Sequence, residues 1–484
     1  MQMEELQRLE SGVPGLDTIL VGGLVAGASY IVQGRPGSGK TILANQIAFH
    51  HVAAGRRALF VTMLAESHDR LFQFLSTLSF FDRARVGTEL QFVSAVDAMD
   101  GDGLEDVVTL LRREIVRQQA SLLIVDGLRN ARSSTSEPIE IKRFIAAVQA
   151  HAAFAGCTVL LLANSQIDDG SPELTMVDGV IELCEDLIGS RSVRRVQLRK
   201  TRGSAALTGL HEMEITGDGI VIHPRLESVL NYPSLPAPGA LELARIESGI
   251  PALDRMVGGG LPRASSTLML GPSGSGKTTM GLAFLRNCTP AEPGILFGLY
   301  ENPARLMLKA QSLGLALPPL IESGALHVLW QPPAERLLDA LGHRLLAAVH
   351  ATGAKRVFID SLSVIARSAT IPGRTFDFFS SLMNELRARD VTVLASWEMR
   401  DLFGSEVHTP TAELSGLVDN LLLMRFVELR AELRRVVSVL KVRDSHYDPA
   451  LRELVIRSDG VELTTAFEQV TSVMSGVGEP FARR

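Results

Sequence analysis

Short aliphatic runs alternate with longer amphipathic stretches along the whole chain. In the first half Tyr30-Ile31-Val32 precedes a glycine-rich loop and a helix-like Ile42–His51 follows it. Then come Ala58–Met63, a helix-like Asp69–Leu78, Leu122–Val125, Lys142–Ala152 and Thr158–Ala163. The second half offers Leu268–Leu270, Ile295–Leu299, Val357–Ile359 and Val391–Ala395 in the same order. Continuous Val/Ile/Leu runs separated by helices predict strands buried on both faces of a mainly parallel sheet. Beyond Val193 and Leu433 the pattern shifts to alternating strands with Gly turns, which predicts an added antiparallel edge. Each half reads as a three-layer α/β sandwich.

The halves are copies. Arg8–Thr41 falls on Arg245–Thr278 without a gap, and 17 of the 34 positions are identical, where chance gives roughly two. The repeat predicts a first domain over residues 1–229 and a second over 241–472. Between them, 230–240 carries three prolines in eleven residues and reads as an extended linker. Residues 473–484 are weakly patterned and read as a loose tail. With 48 Lys+Arg against 54 Asp+Glu, the net charge of -6 argues against a protein that coats duplex DNA. No apolar run approaches the ~18 residues of a membrane span, and the start Met1-Gln2-Met3-Glu4 lacks a signal-peptide pattern. The expected location is cytoplasmic. Cys157, Cys184 and Cys288 are too scattered for a zinc site or a disulfide framework.

Two segments carry the chemistry. Gly34-Arg35-Pro36-Gly37-Ser38-Gly39-Lys40-Thr41 and Gly271-Pro272-Ser273-Gly274-Ser275-Gly276-Lys277-Thr278 both fit the phosphate-loop pattern, each between a predicted strand and a helix. Their glycines let backbone N–H groups turn inward on an anion at a helix N-terminus. Lys40 and Lys277 are expected to reach the β/γ-phosphates of a bound nucleotide, and Thr41 and Thr278 to coordinate Mg²⁺. Asp126 and Asp360 each end a later apolar strand, at nearly equal distances beyond the loop lysines, and are the expected second Mg²⁺ carboxylates. Glu66 and Glu301 follow the second strand of each half and are candidate catalytic groups for orienting water. Lys200 with Arg202, and Lys441 with Arg443, share a strand face late in each half. They read either as cations acting on the γ-phosphate of a neighbouring subunit, or as protected charged edge strands. Eleven histidines show no metal-ligand spacing, and Trp330 and Trp397 lack the basic neighbours of a base-stacking platform. Met63, Met280, Met307 and Met424 read as core filler.

The combination resembles the KaiC family of RecA-like ATPases. Each loop is preceded by Ser-Gly-(Val/Ile)-Pro-x-Leu-Asp and Gly-Gly-Leu, and the second half adds Ile359-Asp360-Ser361-Leu362-Ser363, Phe426-Val427-Glu428-Leu429-Arg430 and Lys441-Val442-Arg443. The resemblance covers nearly the whole chain. It implies a double-ring homohexamer that binds ATP between adjacent subunits and hydrolyses it slowly, with a partner protein reading its state. In the family's best-known members it also implies a Ser/Thr autokinase and phosphatase in the second ring. The chain departs from the pattern in three places. Where the family has two adjacent glutamates, this sequence has Ala65-Glu66 and Glu301-Asn302. The family's neighbouring phosphoacceptors fall on Ser415 and Gly416, so Ser415 is the candidate phosphosite. The sequence ends soon after Met474-Ser475-Gly476, without the regulatory segment of the clock members, and points to a relative rather than a complete circadian oscillator. A DNA-dependent RecA-type recombinase or helicase and a non-catalytic nucleotide-gated scaffold remain the alternatives.

Overall fold

The computed structural model describes residues 6–64, 68–100, 103–128, 138–164, 171–230, 244–332, 336–399, 414–429, 431–443, 445–464, 470–471 and 479–480. Glu66, linker residues 231–240 and most of the expected tail lie outside these. The chain divides into two compact units, Met1–Ser228 and Val229–Arg484.

Unit one is built on strands β1 (Ser29–Gly34), β2 (Ala58–Thr62), β3 (Leu90–Ser94), β4 (Leu122–Asp126), β5 (Thr158–Ala163), β6 (Gly179–Ile188), β7 (Arg191–Thr201), β8 (Leu210–Thr216) and β9 (Gly219–His223). They form one nine-stranded sheet in the order β3-β2-β4-β5-β1-β6-β7-β8-β9. Pairing is parallel from β3 to β6 and antiparallel from β6 to β9. Unit two repeats the plan with β10 (Ser266–Gly271), β11 (Gly294–Gly298), β12 (Leu326–Trp330), β13 (Arg356–Asp360), β14 (Thr392–Glu398), β15 (Asn420–Leu429), β16 (Glu432–Val442), β17 (Arg452–Arg457) and β18 (Gly460–Thr464). Its order, β12-β11-β13-β14-β10-β15-β16-β17-β18, is the same permutation. These are two tandem RecA-like α/β units with an antiparallel extension on each sheet.

The aliphatic runs become central strands because both their faces are covered. In unit one, Val32, Phe60, Ile124 and Leu160 pack on one side with Leu43 and Ile47 of helix α1 (Lys40–Ala53). Their neighbours Ile31, Leu59, Val125 and Leu161 pack on the other side with Ile145 and Val148 of helix α2 (Pro138–Phe154). Successive strand residues thus enter separate cores, the signature of a three-layer sandwich. In unit two, Met269, Leu296, Phe358 and Leu394 pack with Leu282 and Phe284 of helix α3 (Lys277–Leu285). Each such side chain contributes about 1.5–3 kcal/mol of burial. Met63, Met280 and Met424 are buried among these cores, and Met307 packs against one. Among the described residues no helix is long and apolar enough to cross a membrane.

Candidate functional site

Each phosphate loop leaves the C-terminal edge of its sheet between β1 and α1, or β10 and α3. The residue opening each helix is a glycine, Gly39 at φ +102° and Gly276 at φ +104°, where an L side chain is strained. A Cβ on Gly276 would lie 2.5 Å from Leu454 Cδ2. Neither helix start carries a side-chain cap, so the first-turn N–H groups remain available to an anion.

The lysines curl back over their own loops. Lys40 Nζ donates to Gly34 O and Arg35 O, both at 2.9 Å. Lys277 Nζ donates to Gly271 O at 2.7 Å and Pro272 O at 2.6 Å. Burial pushes both ammonium pKa values down, opposed by Asp126 at Lys40 and by Glu398 and Asp360 at Lys277. A buried cation short of counter-charge is matched to a polyphosphate. Thr278 Oγ1 donates to Asp360 Oδ2 at 2.7 Å, and Thr41 Oγ1 to Asp126 Oδ2 at 3.4 Å. Threonine and aspartate, remote in sequence, therefore meet in both units. Hydroxyl and carboxylate oxygens are the hard donors Mg²⁺ prefers, so the residues fit that ion. Among the described residues no group of three or more His, Cys, Asp or Glu gathers into a metal cage.

Clefts of about 340 Å³ and about 1100 Å³ open over the two loops, on the scale of small-molecule sites. The first brings Gly37, Gly39, Lys40, Thr41 and Asp126 together. The second gathers Gly274, Gly276, Lys277, Thr278, Glu301 and Asp360. Glu301 is exposed and pairs with Lys309 at 3.5 Å. Sequence reasoning missed several residues of the second cleft. Ser396 Oγ donates to Asp360 Oδ1 at 2.5 Å, Arg367 Nη1 donates to Tyr300 Oη at 3.2 Å, and Arg435 Nε donates to Gly274 O at 3.0 Å. Glu398 lines the same cleft. The only sequence signal for Ser396 and Glu398 was a polar break at the end of an apolar strand.

The late cations lie elsewhere. Neither Lys200 and Arg202 nor Lys441 and Arg443 line the cleft of their own unit. Lys200 Nζ donates to Leu174 O at 2.8 Å and Thr175 O at 3.1 Å, and Arg202 Nη2 to Thr175 O at 3.0 Å. Lys441 Nζ donates to Ser415 O and Val418 O, both at 2.9 Å, and Arg443 Nη1 to Asp419 Oδ1 at 3.3 Å. These partners precede β6 and β15, which run parallel to the loop strands, so the cations gather at the N-terminal sheet edge, away from their own loops. A register shift falls immediately before each lysine, between the Val180–Lys200 and Ile181–Leu198 pairs and between the Leu421–Lys441 and Leu422–Val439 pairs. Such bulges re-aim a side chain. Burial, then the adjacent arginine, lowers the pKa of Lys200 and of Lys441. Ser415 sits in this cluster, its carbonyl held by Lys441.

Fold and loops together define a tandem P-loop nucleotide-binding protein with RecA-like units. The family model for the ATPase KaiC matches residues 9–227 and again residues 246–468. The chain belongs to the KaiC family of P-loop ATPases, a family that binds ATP. It is 28% identical to the circadian clock oscillator protein KaiC of Picosynechococcus sp., over 97% of this chain and 92% of that protein. It is likewise 28% identical to the KaiC of Rippkaea orientalis, over 97% and 91%, and 26% identical to that of Acaryochloris marina, over 98% and 91%.

Proposed function

We propose that this chain hydrolyses Mg·ATP at both loops, works as a cytoplasmic homohexamer in which each site is completed by the adjacent copy, and transfers phosphate to Ser415 of that adjacent copy. The observation that carries this reading is the position of the two cation pairs. They are fixed by backbone carbonyls and carboxylates at the sheet edge remote from their own loops, an arrangement useful to phosphoryl transfer only if that edge faces the loop edge of another copy. Ser415 lies beside Lys441, so the same docking that delivers the cations delivers the hydroxyl.

In this reading the loop N–H groups and Lys40 or Lys277 hold the β- and γ-phosphates, and Thr41 with Asp126, or Thr278 with Asp360, hold Mg²⁺. Bound there, Mg²⁺ would neutralise the charge of the β- and γ-phosphates. Glu301, and Glu66 in the first unit, accept the proton of an attacking water as the bond to the β-phosphate oxygen breaks. In the second unit the Ser415 hydroxyl of a neighbour takes the place of that water. The neighbour's Lys/Arg pair stabilises the charge of the departing phosphoryl group. The domains are residues 1–229 and 241–472, joined by 230–240, and the relatives' role as clock oscillator proteins suggests a nucleotide-driven signalling switch read by another protein.

The test is phosphate release by the purified chain with Mg·ATP, with and without single-stranded DNA, followed by mass spectrometry of the protein. Turnover unaffected by DNA, with phosphate on Ser415, is expected. Strong stimulation by DNA favours a recombinase-like motor, and absent turnover favours a scaffold. Turnover without label on Ser415 leaves only the ATPase.

A further inference from the structure

The two clefts differ in charge at one strand end. β14 lies between the loop strand β10 and β13, which carries Asp360, so its C-terminal end opens between the phosphate loop and the carboxylate of the metal pair. Gly271 registers with Glu398. Ser396, two residues earlier, donates to Asp360. Strand alternation puts Glu398 on the same face, and Glu398 lines the cleft with Lys277 and Asp360. Its negative charge acts on Lys277 more strongly than that of Asp360 does. In unit one β5 occupies this place. Gln33 registers with Ala163 as Leu270 registers with Trp397, so the counterpart of Glu398 is Asn164, which lines the first cleft. The second site thus carries a carboxylate where the first carries a neutral amide.

We propose that Glu398 is a positioning residue that sets the second unit's preference between nucleoside triphosphate and diphosphate, opposing the γ-phosphate and competing with it for Lys277. This rests on the reading of both clefts as ATP sites. A diphosphate places less charge near Glu398 and is little affected. The first unit, with Asn164, lacks this penalty and holds the triphosphate better relative to the diphosphate.

The test uses the full chain with the first site silenced by Lys40→Met. It is titrated with Mg·ADP and with a non-hydrolysable Mg·ATP analogue, with Glu398 intact and as Glu398→Gln and Glu398→Asp. Glu398→Gln is expected to tighten the triphosphate analogue about tenfold, the scale of one unit charge at partly buried range, and to leave ADP within about twofold. Glu398→Asp is expected to keep the parent's preference. Reciprocally, Asn164→Glu in a Lys277→Met chain is expected to weaken the analogue at the first site, which keeps the idea open to refutation should the Gln variant fail to fold. A Gln variant that shifts both nucleotides alike, or neither, overturns the proposal. A parent chain that binds neither nucleotide refutes the two-site ATP reading itself, and this inference with it.

Discussion

Replacing both loop lysines by methionine separates binding from folding. Methionine nearly matches the lysine stem but carries neither charge nor donors. Lys40 and Lys277 are 5% and 8% exposed, and each ammonium donates to two loop carbonyls, that of Lys277 also to Ser275 Oγ at 3.5 Å. Removing it forfeits those bonds, at about 1 kcal/mol each, and relieves the desolvation of a buried charge of similar size. The apo protein is expected to keep its stability within about 2 kcal/mol. ATP affinity moves much further. A charge-assisted hydrogen bond to phosphate is worth about 1.5–3 kcal/mol, roughly 10- to 100-fold per site. Equilibrium binding at ATP concentrations just saturating for the wild type should find two ATP per wild-type chain, between one and two in either single variant, and at most about one in Lys40→Met/Lys277→Met. Differential scanning calorimetry should show the double variant folded but stabilised less by Mg·ATP than the wild type. A folded double variant with unchanged ATP affinity would refute the assignment of the loops.

Three further outcomes follow from the same geometry. Asp360→Asn should leave unit two folded, because one of the Thr278 and Ser396 hydroxyls keeps the amide oxygen and the other can turn to accept from the amide NH2, while its ATP turnover falls about 100-fold; Asp126→Asn should lower turnover likewise in unit one. Gly276→Ala combines φ +104° with a Cβ 2.5 Å from Leu454 and should cost about 1–3 kcal/mol by denaturant unfolding, whereas Gly353→Ala, at φ +66° with open space around it, should cost about 1–2 kcal/mol. His51 is buried at 2% exposure against Ser121, and burial, then Arg56, pushes its pKa down to about 4. The unfolded chain therefore takes up the proton first as pH falls, so stability is full above about 6.5 and declines toward pH 4; pH-dependent unfolding of His51→Gln should lack that component.

The central sheets were legible because a strand covered on both faces writes itself as an unbroken aliphatic run, as in Leu122–Val125 and Val357–Ile359. The rim opposite the expected antiparallel extension was not. Leu90–Ser94 and Leu326–Trp330 are edge strands, half-buried along most of their length, and their mixed sequences carry no such run. The loops and their threonine–aspartate partners were readable because duplication repeats them at matched spacing. Ser396 and Glu398 were not, because their place in the cleft comes from the register of β14 beside β10, which exists only after folding. The cation pairs were found as a pattern, but alternation alone did not foresee the register shift before Lys200 and Lys441 that turns each lysine onto the chain segment ahead of β6 or β15.

Complementation between two inactive chains probes most directly whether one copy finishes the site of another. In a Lys40→Met background, Lys277→Met removes the loop lysine while leaving Lys441 and Arg443, and Lys441→Ala/Arg443→Ala does the reverse. If the cations act across a head-to-tail interface, a one-to-one mixed assembly should recover turnover at about a quarter of its second-unit sites. A mixture that assembles yet stays as inactive as its parents, beside a working Lys40→Met control, would show that each copy supplies its own cations and would contradict the account.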